Sequence, residues 1–399
     1  MVNPSVHPGY RWVILVIGVL AQAATCTFIY GLPTLVPALR SAEHLTLLQA
    51  SVVISAPTAG LLLTLILWGA AADRFGERIV MASGTGMAAI LLAISTQLSS
   101  VVPLCLVLGL AGAAGASVNA ASGRVVMGWF AVNERGLAMG ARQTAQPLGV
   151  AIAALTLPLL AHRYSVGVAL AFPAVFCGVI AVVIACCVVD PPRSAPKPGE
   201  RVGSPYREAT IWRIHASSAC LVVPQFAVSA FTLVYLVGER HWTPVDAGRL
   251  IFVFQLVGAI GRIGSGVWSD RVASRLRPMR QLAVASMILM LGLMLGSITS
   301  SAWIVIVFGL AAVVTVADNG LAYTSVAEMA GPAWTGRALG VQNTGQNIAS
   351  LVTAPVLAVV IGANSNYGGA FLLAALLPAL AIPLIPVRAE QREAELVSA

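Results

Sequence analysis

Charge is scarce in this chain. Of its 399 residues only 10% are Asp, Glu, Lys or Arg, 58% are hydrophobic, and the mean hydropathy is +0.88. Soluble domains carry about 25% charged residues, and none hides this much apolar surface, so a water-soluble globule is excluded. The five histidines (His7, His44, His162, His215 and His241) are scattered, and His-Glu-x-x-His, Gly-x-Ser-x-Gly and Walker sequences are all missing. Those absences remove the metal, nucleophile and phosphate sites that a membrane enzyme or an ATP-driven pump requires. The six cysteines (Cys26, Cys105, Cys177, Cys186, Cys187 and Cys220) sit in apolar stretches without metal-ligand spacing and read as small hydrophobes. No cofactor is implied, and no sizeable soluble portion suits a receptor or sensor.

What is there is a series of long apolar runs. A bilayer core takes about 20 apolar residues per helix, and twelve such segments can be placed, the first at 12–39 and the last at 368–387. The first is too long and too rich in polar and proline residues for a cleaved signal. The net charge of +8 raises the question of a nucleic-acid partner, but its distribution answers it. Sixteen of the 23 basic residues fall on one face, four on the other (Arg40, Arg163, Arg240 and Arg249) and three within spans. The positive-inside rule then places both termini in the cytoplasm of a multi-pass protein of the cytoplasmic (inner) membrane, with the lipid bilayer and not nucleic acid as its partner.

Residues 190–210 are polar and proline-rich and read as a cytoplasmic linker between an N-terminal six-helix bundle (1–189) and a C-terminal one (211–399). The tail beyond 387 is short, charged and expected to lack order. Internal repetition supports the division. Gly69-Ala-Ala-Ala-Asp73-Arg74 is echoed 197 residues later by Gly266-Val-Trp-Ser-Asp270-Arg271, and Asn119, Gly140, Thr144 and Gln146 recur 200 residues later as Asn319, Gly340, Thr344 and Gln346. Two similar halves that rock against each other are the physical basis of alternating access.

Twelve spans, a central linker and paired Gly-x-x-x-Asp-Arg turns resemble a major facilitator superfamily transporter over residues 10–387. The resemblance implies an all-α membrane protein of twelve helices in two pseudo-symmetric six-helix bundles, expected to be monomeric. It also implies that Gly69, Asp73, Arg74, Gly76 and Arg78, with Asp270 and Arg271 in the second copy, latch the halves on the cytoplasmic side. Glu77 stands where the family usually has a base, which implies a weaker latch. Arg124, about two turns from its helix end, is expected to pair with Asp73, and Glu328 with Arg271. Arg142 is expected to snorkel to the surface or close an inner gate.

An arginine in mid-span costs about 2.5–3.5 kcal/mol and calls for a partner, a cavity or an anion. The context Gly261-Arg262-x-Gly-x-Gly266-x-x-Ser269-Asp270-Arg271 resembles helix 8 of the oxalate/formate antiporter and monocarboxylate transporter branch, which implies that Arg262 binds a substrate carboxylate. A bridge to the intramembrane acid Asp318 is the alternative reading, and alternation between the two would make Asp318 a proton-coupling residue. Helix 11 offers Gln342, Asn343, Gln346 and Asn347 but no cation, which favours a monocarboxylate or larger polar anion over a small dicarboxylate. Gln22, Tyr30, Asn119, Gln146, Tyr235 and Asn319 complete the expected pathway lining. The expected function is thus proton-coupled secondary transport of a small organic anion. Proton-driven efflux of drugs or metabolites is the alternative, disfavoured because bases outnumber acids within the spans three to one.

Overall fold

The computed structural model describes residues 9–41, 46–98, 100–191, 203–362 and 365–390. Most of the expected linker (192–202) and the tail from 391 lie outside the described residues. Among the described residues every regular element is helical: α1 (Tyr10–Ile29), α2 (Val36–Ser41), α3 (Leu47–Phe75), α4 (Glu77–Ser95), α5 (Val101–Trp129), α6 (Arg135–Gln143), α7 (Ala145–Arg163), α8 (Val166–Cys187), α9 (Ala209–Gly238), α10 (Pro244–Val272), α11 (Leu276–Ile298), α12 (Ile304–Ala317), α13 (Asn319–Ala330), α14 (Thr335–Ile361) and α15 (Tyr367–Leu384). They form twelve stretches long and apolar enough to cross a bilayer. Helix is the form expected where no water can satisfy backbone N–H and C=O groups.

Helix starts follow the usual chemistry. Thr46 and Gln49 make a reciprocal capping box at α3, while Ser165, Thr243 and Asn366 cap α8, α10 and α15. Two spans that read as continuous are interrupted. The fifth breaks at Thr144 between α6 and α7, a turn ahead of Pro147, and the tenth breaks at Asp318 between α12 and α13. Pro147 sits in the first turn of α7, where its missing N–H has no intrahelical partner to lose.

Two compact units emerge. The first holds 1–131, 144–202 and 330–344; the second holds 132–143, 203–329 and 345–399. Relative to the halves of the sequence, two short segments change sides: α6 belongs with the C-terminal helices, and the start of α14 with the N-terminal ones.

The first unit is held by small residues. A Cβ on Gly60 would lie 1.8 Å from the Gly109 carbonyl oxygen, and one on Gly112 1.9 Å from that of Pro57, so α3 and α5 meet backbone to backbone. Lipid tails are as apolar as leucine, so such close van der Waals contact is what drives membrane helices together. The second unit has an aromatic centre in which Tyr235, Phe308, Tyr367 and Phe371 pack with centroids 5.1–6.4 Å apart.

Candidate functional site

In the first unit the turn between α3 and α4 and the start of α14 make a clasp around one carboxylate. Asp73 accepts the backbone N–H of Gly336 (2.9 Å) and of Arg337 (3.1 Å), two orphan donors of the first turn of α14. Gly69 and Gly336 permit the approach, since a Cβ on either would sit 2.3–2.4 Å from the other's carbonyl oxygen. Arg124 pairs with Asp73 at 3.0 Å, as its position on α5 leads one to expect. Glu77, the acid expected to weaken the latch, is fully buried and ion-paired to Arg124 at 2.9 Å, where it supplies a second anion for the same guanidinium. Gly76 takes φ +103, a conformation suited to glycine, at the sharp turn. Arg74 and Arg78 stay off Asp73. Arg74 is exposed and stacks on Phe75, whereas Arg78 donates its side chain to the Ala185 carbonyl and its backbone N–H to Asp190.

The second unit repeats the arrangement with other parts. Asp270 accepts the N–H groups of Gly136 (3.0 Å) and Leu137 (2.8 Å) in α6. Gly136 and Gly266 make the crossing, with each hypothetical Cβ 2.1–2.4 Å from the other's carbonyl oxygen. The cation is not Arg271, which is exposed and has no side-chain partner among the described residues. It is Arg275, whose buried guanidinium binds Asp270, Ser269 and the Val132 carbonyl. Glu328 likewise pairs with Arg275 (3.5 Å) and Arg135 (3.6 Å) in place of Arg271. The reason is geometric: Ala273 takes a left-handed φ of 51, ending α10 and swinging Arg275 back over the helix end.

Deeper groups form polar clusters in each unit. In the first, Gln22 donates to Asn119 (3.3 Å), and Asn343 donates to the Asn119 carbonyl (3.3 Å). In the second, Asn319 donates to Gln225 (2.9 Å), and Gln346 donates to Ser218 (2.7 Å) and Asn319 (3.2 Å). Gln342 is buried, while Tyr30 and Gln146 are half-buried. Tyr235 departs from the expected pathway lining: it is 2% exposed within the aromatic centre, where a large ring fills core volume. Arg142 does not snorkel. It is 1% exposed with its guanidinium 5.6 Å from the Tyr323 ring centre.

Arg262 is buried and poorly satisfied. It is 7% exposed, and among the described residues its side chain has one hydrogen-bond acceptor, the Gln143 carbonyl at 2.7 Å, for five N–H donors. Its Nε is buried without a partner, as is Oδ2 of Asp318, itself 2% exposed. The two interact electrostatically, yet no ion pair joins them. Ser265 ties their helices by donating to the Ala317 carbonyl at 2.6 Å.

The family model described as Major Facilitator Superfamily matches residues 18–354. The chain belongs to this superfamily. An uncharacterized MFS-type transporter of Mycobacterium tuberculosis is 41% identical over 383 residues, covering 95% of this chain and 86% of that one. The probable galactarate/D-glucarate transporter GudP of Bacillus subtilis is 24% identical over 285 residues, 62% of each chain. Among solved structures, the E. coli fucose:proton symporter FucP superposes with a TM-score of 0.74 at 16% identity, over 96% of this chain and 99% of that one, a likeness of fold alone. This superfamily member is therefore a multi-pass membrane transporter, and its fold is not that of an enzyme.

Superfamily repetition also exposes what the sequence reading passed over. Arg275 is the repeat-mate of Arg78 at the offset of 197 that relates the two turns, and that offset, followed residue by residue, would have flagged it. Nothing in the sequence announces that Arg78 and Arg275 then use their side chains differently.

Proposed function

We propose that this transporter carries a small organic anion with a carboxylate group across the cytoplasmic membrane by alternating access, with both termini in the cytoplasm and a proton as coupling ion. The observation that carries the reading is the state of Arg262. A buried guanidinium that keeps its charge, with one neutral acceptor and no carboxylate partner among the described residues, has unused donors in the fork geometry a carboxylate fits. The Gln143 carbonyl supporting it belongs to α6, held in the same unit by the Asp270 clasp, so release of that clasp would free the fork. The names galactarate and D-glucarate given for GudP are those of carboxylates, in line with this reading. The helix-8 pattern around Arg262, similar to the oxalate/formate and monocarboxylate branch, supports it too. Asp73 and Asp270 are in this view the gate residues, each holding a helix start until the transport cycle releases it.

Equilibrium binding of a panel of carboxylates and lipophilic cations to the purified protein tests the cargo class. Carboxylates are expected to bind, and Arg262→Ala to weaken them by about 30-fold or more, since truncating one partner of a buried charge pair costs about 2–5 kcal/mol. Binding of cations only, or carboxylate binding indifferent to Arg262→Ala, would reject the reading. Proton coupling is tested separately in proteoliposomes. Asp318→Asn is expected to abolish uptake driven by a pH gradient while leaving substrate exchange in place, and gradient-driven uptake at wild-type rate would remove Asp318 from that role.

A further inference from the structure

The two clasps differ in what holds their arginines. Arg124 is fixed from within the spans, by Asp73, Glu77 and the Ala72 carbonyl. Arg275 sits at the start of α11, in a turn, and its backbone needs another anchor. That anchor is Glu390, at the far end of the last span. Its carboxylate accepts the N–H of Arg275 (2.6 Å) and of Leu276 (3.2 Å) and the hydroxyl of Ser274. Three donors of one turn thus converge on one side chain, and the residue they hold aims its guanidinium at Asp270, Glu328 and the Val132 carbonyl.

The first unit carries the counterpart but wires it differently. Asp190, 200 residues before Glu390, accepts the N–H of Arg78, 197 residues before Arg275. Arg78 then turns to the Ala185 carbonyl and never meets Asp73. The acid beyond the sixth span therefore holds the backbone of Arg78, whose side chain is outside the clasp, whereas the acid beyond the twelfth holds the backbone of Arg275, the clasp cation itself.

We propose that Glu390 is a positioning residue of the Asp270 clasp: by fixing the backbone of Arg275 it keeps that guanidinium on Asp270, so the C-terminal segment sets the stability of one clasp and leaves the other untouched. The inference does not depend on the cargo being an anion, and its test needs no substrate.

Hydrogen–deuterium exchange of the full chain in lipid nanodiscs reads both clasps in one experiment, because each Asp protects two backbone amides. Glu390→Ala is expected to speed exchange about tenfold at Gly136 and Leu137, the amides on Asp270, and at Arg275 and Leu276, with Gly336 and Arg337 unchanged. Glu390→Gln, which keeps an acceptor oxygen but no charge, is expected to give a smaller rise in the same places, and carries the test if the alanine variant does not fold. Asp190→Ala is the matched control, expected to speed Arg78 and to leave Gly136 and Leu137 unchanged. Faster exchange confined to Arg275 and Leu276 would mean a helix cap without a role in the clasp and would overturn the proposal. So would a rise at both pairs of clasp amides, which reports general loosening.

Discussion

Replacing Gly266 by alanine is expected to undo the crossing of α6 over α10, while the same change at Gly264, two residues away, leaves it intact. A Cβ on Gly266 would lie 2.1 Å from the Gly136 carbonyl oxygen and 2.5 Å from its carbon, whereas one on Gly264 meets nothing within 4 Å. The obstacle at Gly266 is backbone, which no rotamer change moves aside. Overpacking costs about 1–3 kcal/mol even where side chains can shift, so the arrangement with Asp270 seated on the Gly136 and Leu137 amides should lose at least about fivefold in population. Amide exchange at those two residues checks it, and Gly264→Ala serves as the control for helix propensity, since both changes favour helix equally. Transport should fall with the first variant and hold with the second. Equal exchange in the two variants would show that α6 is held by something other than this approach.

That contrast also marks where sequence reading stops. Gly264 and Gly266 are indistinguishable by composition or spacing, because both belong to the same Gly-x-Gly run in a span. Only the path of another helix decides which is crowded. The twelve spans were legible because bilayer thickness imposes one length on every helix, and the repeat was legible because Asp73 and Asp270 keep their local context. The pairing of Arg124 with Asp73 was legible too, as depth along two adjacent helices predicts it.

Contacts made across long stretches of chain were not. Asp73 reaches amides 263 and 264 residues away, and α6 leaves its sequence half to pack against α10, neither of which has a periodic signature. Arg271 was the natural reading for the second clasp because it follows Asp270 directly, as Arg74 follows Asp73. The left-handed turn at Ala273 hands the task to Arg275 instead, and alanine is not a residue that advertises such a turn. Tyr235 failed for a different reason: polar aromatics serve both pathway and core, and only its neighbours Phe308, Tyr367 and Phe371 assign it to the core.

Arg124→Met is expected to be the most destabilising single change in the first unit, at about 3–5 kcal/mol. The change leaves the methylene volume in place but takes the guanidinium from two buried carboxylates: Asp73, with its side chain 3% exposed, which keeps Arg337 at 3.6 Å and two backbone N–H groups, and Glu77, with none of its side chain exposed. Removing one partner of a buried ion pair is far more costly than removing the set. The loss should therefore shrink when the excess negative charge is removed as well. Glu77→Gln alone is expected to be mild, because Arg124 keeps Asp73. Added to Arg124→Met, it should recover about 1–3 kcal/mol, the range of coupling for residues in direct contact. Denaturation in detergent of the wild type, the two single variants and the double gives that coupling directly. Strict additivity would mean that Glu77 is not coupled to Arg124 and that the cost of losing Arg124 comes from its other contacts, Asp73 among them. Recovery would establish that Glu77 is a working member of the Asp73 clasp, alongside Asp73, Arg124 and Arg337.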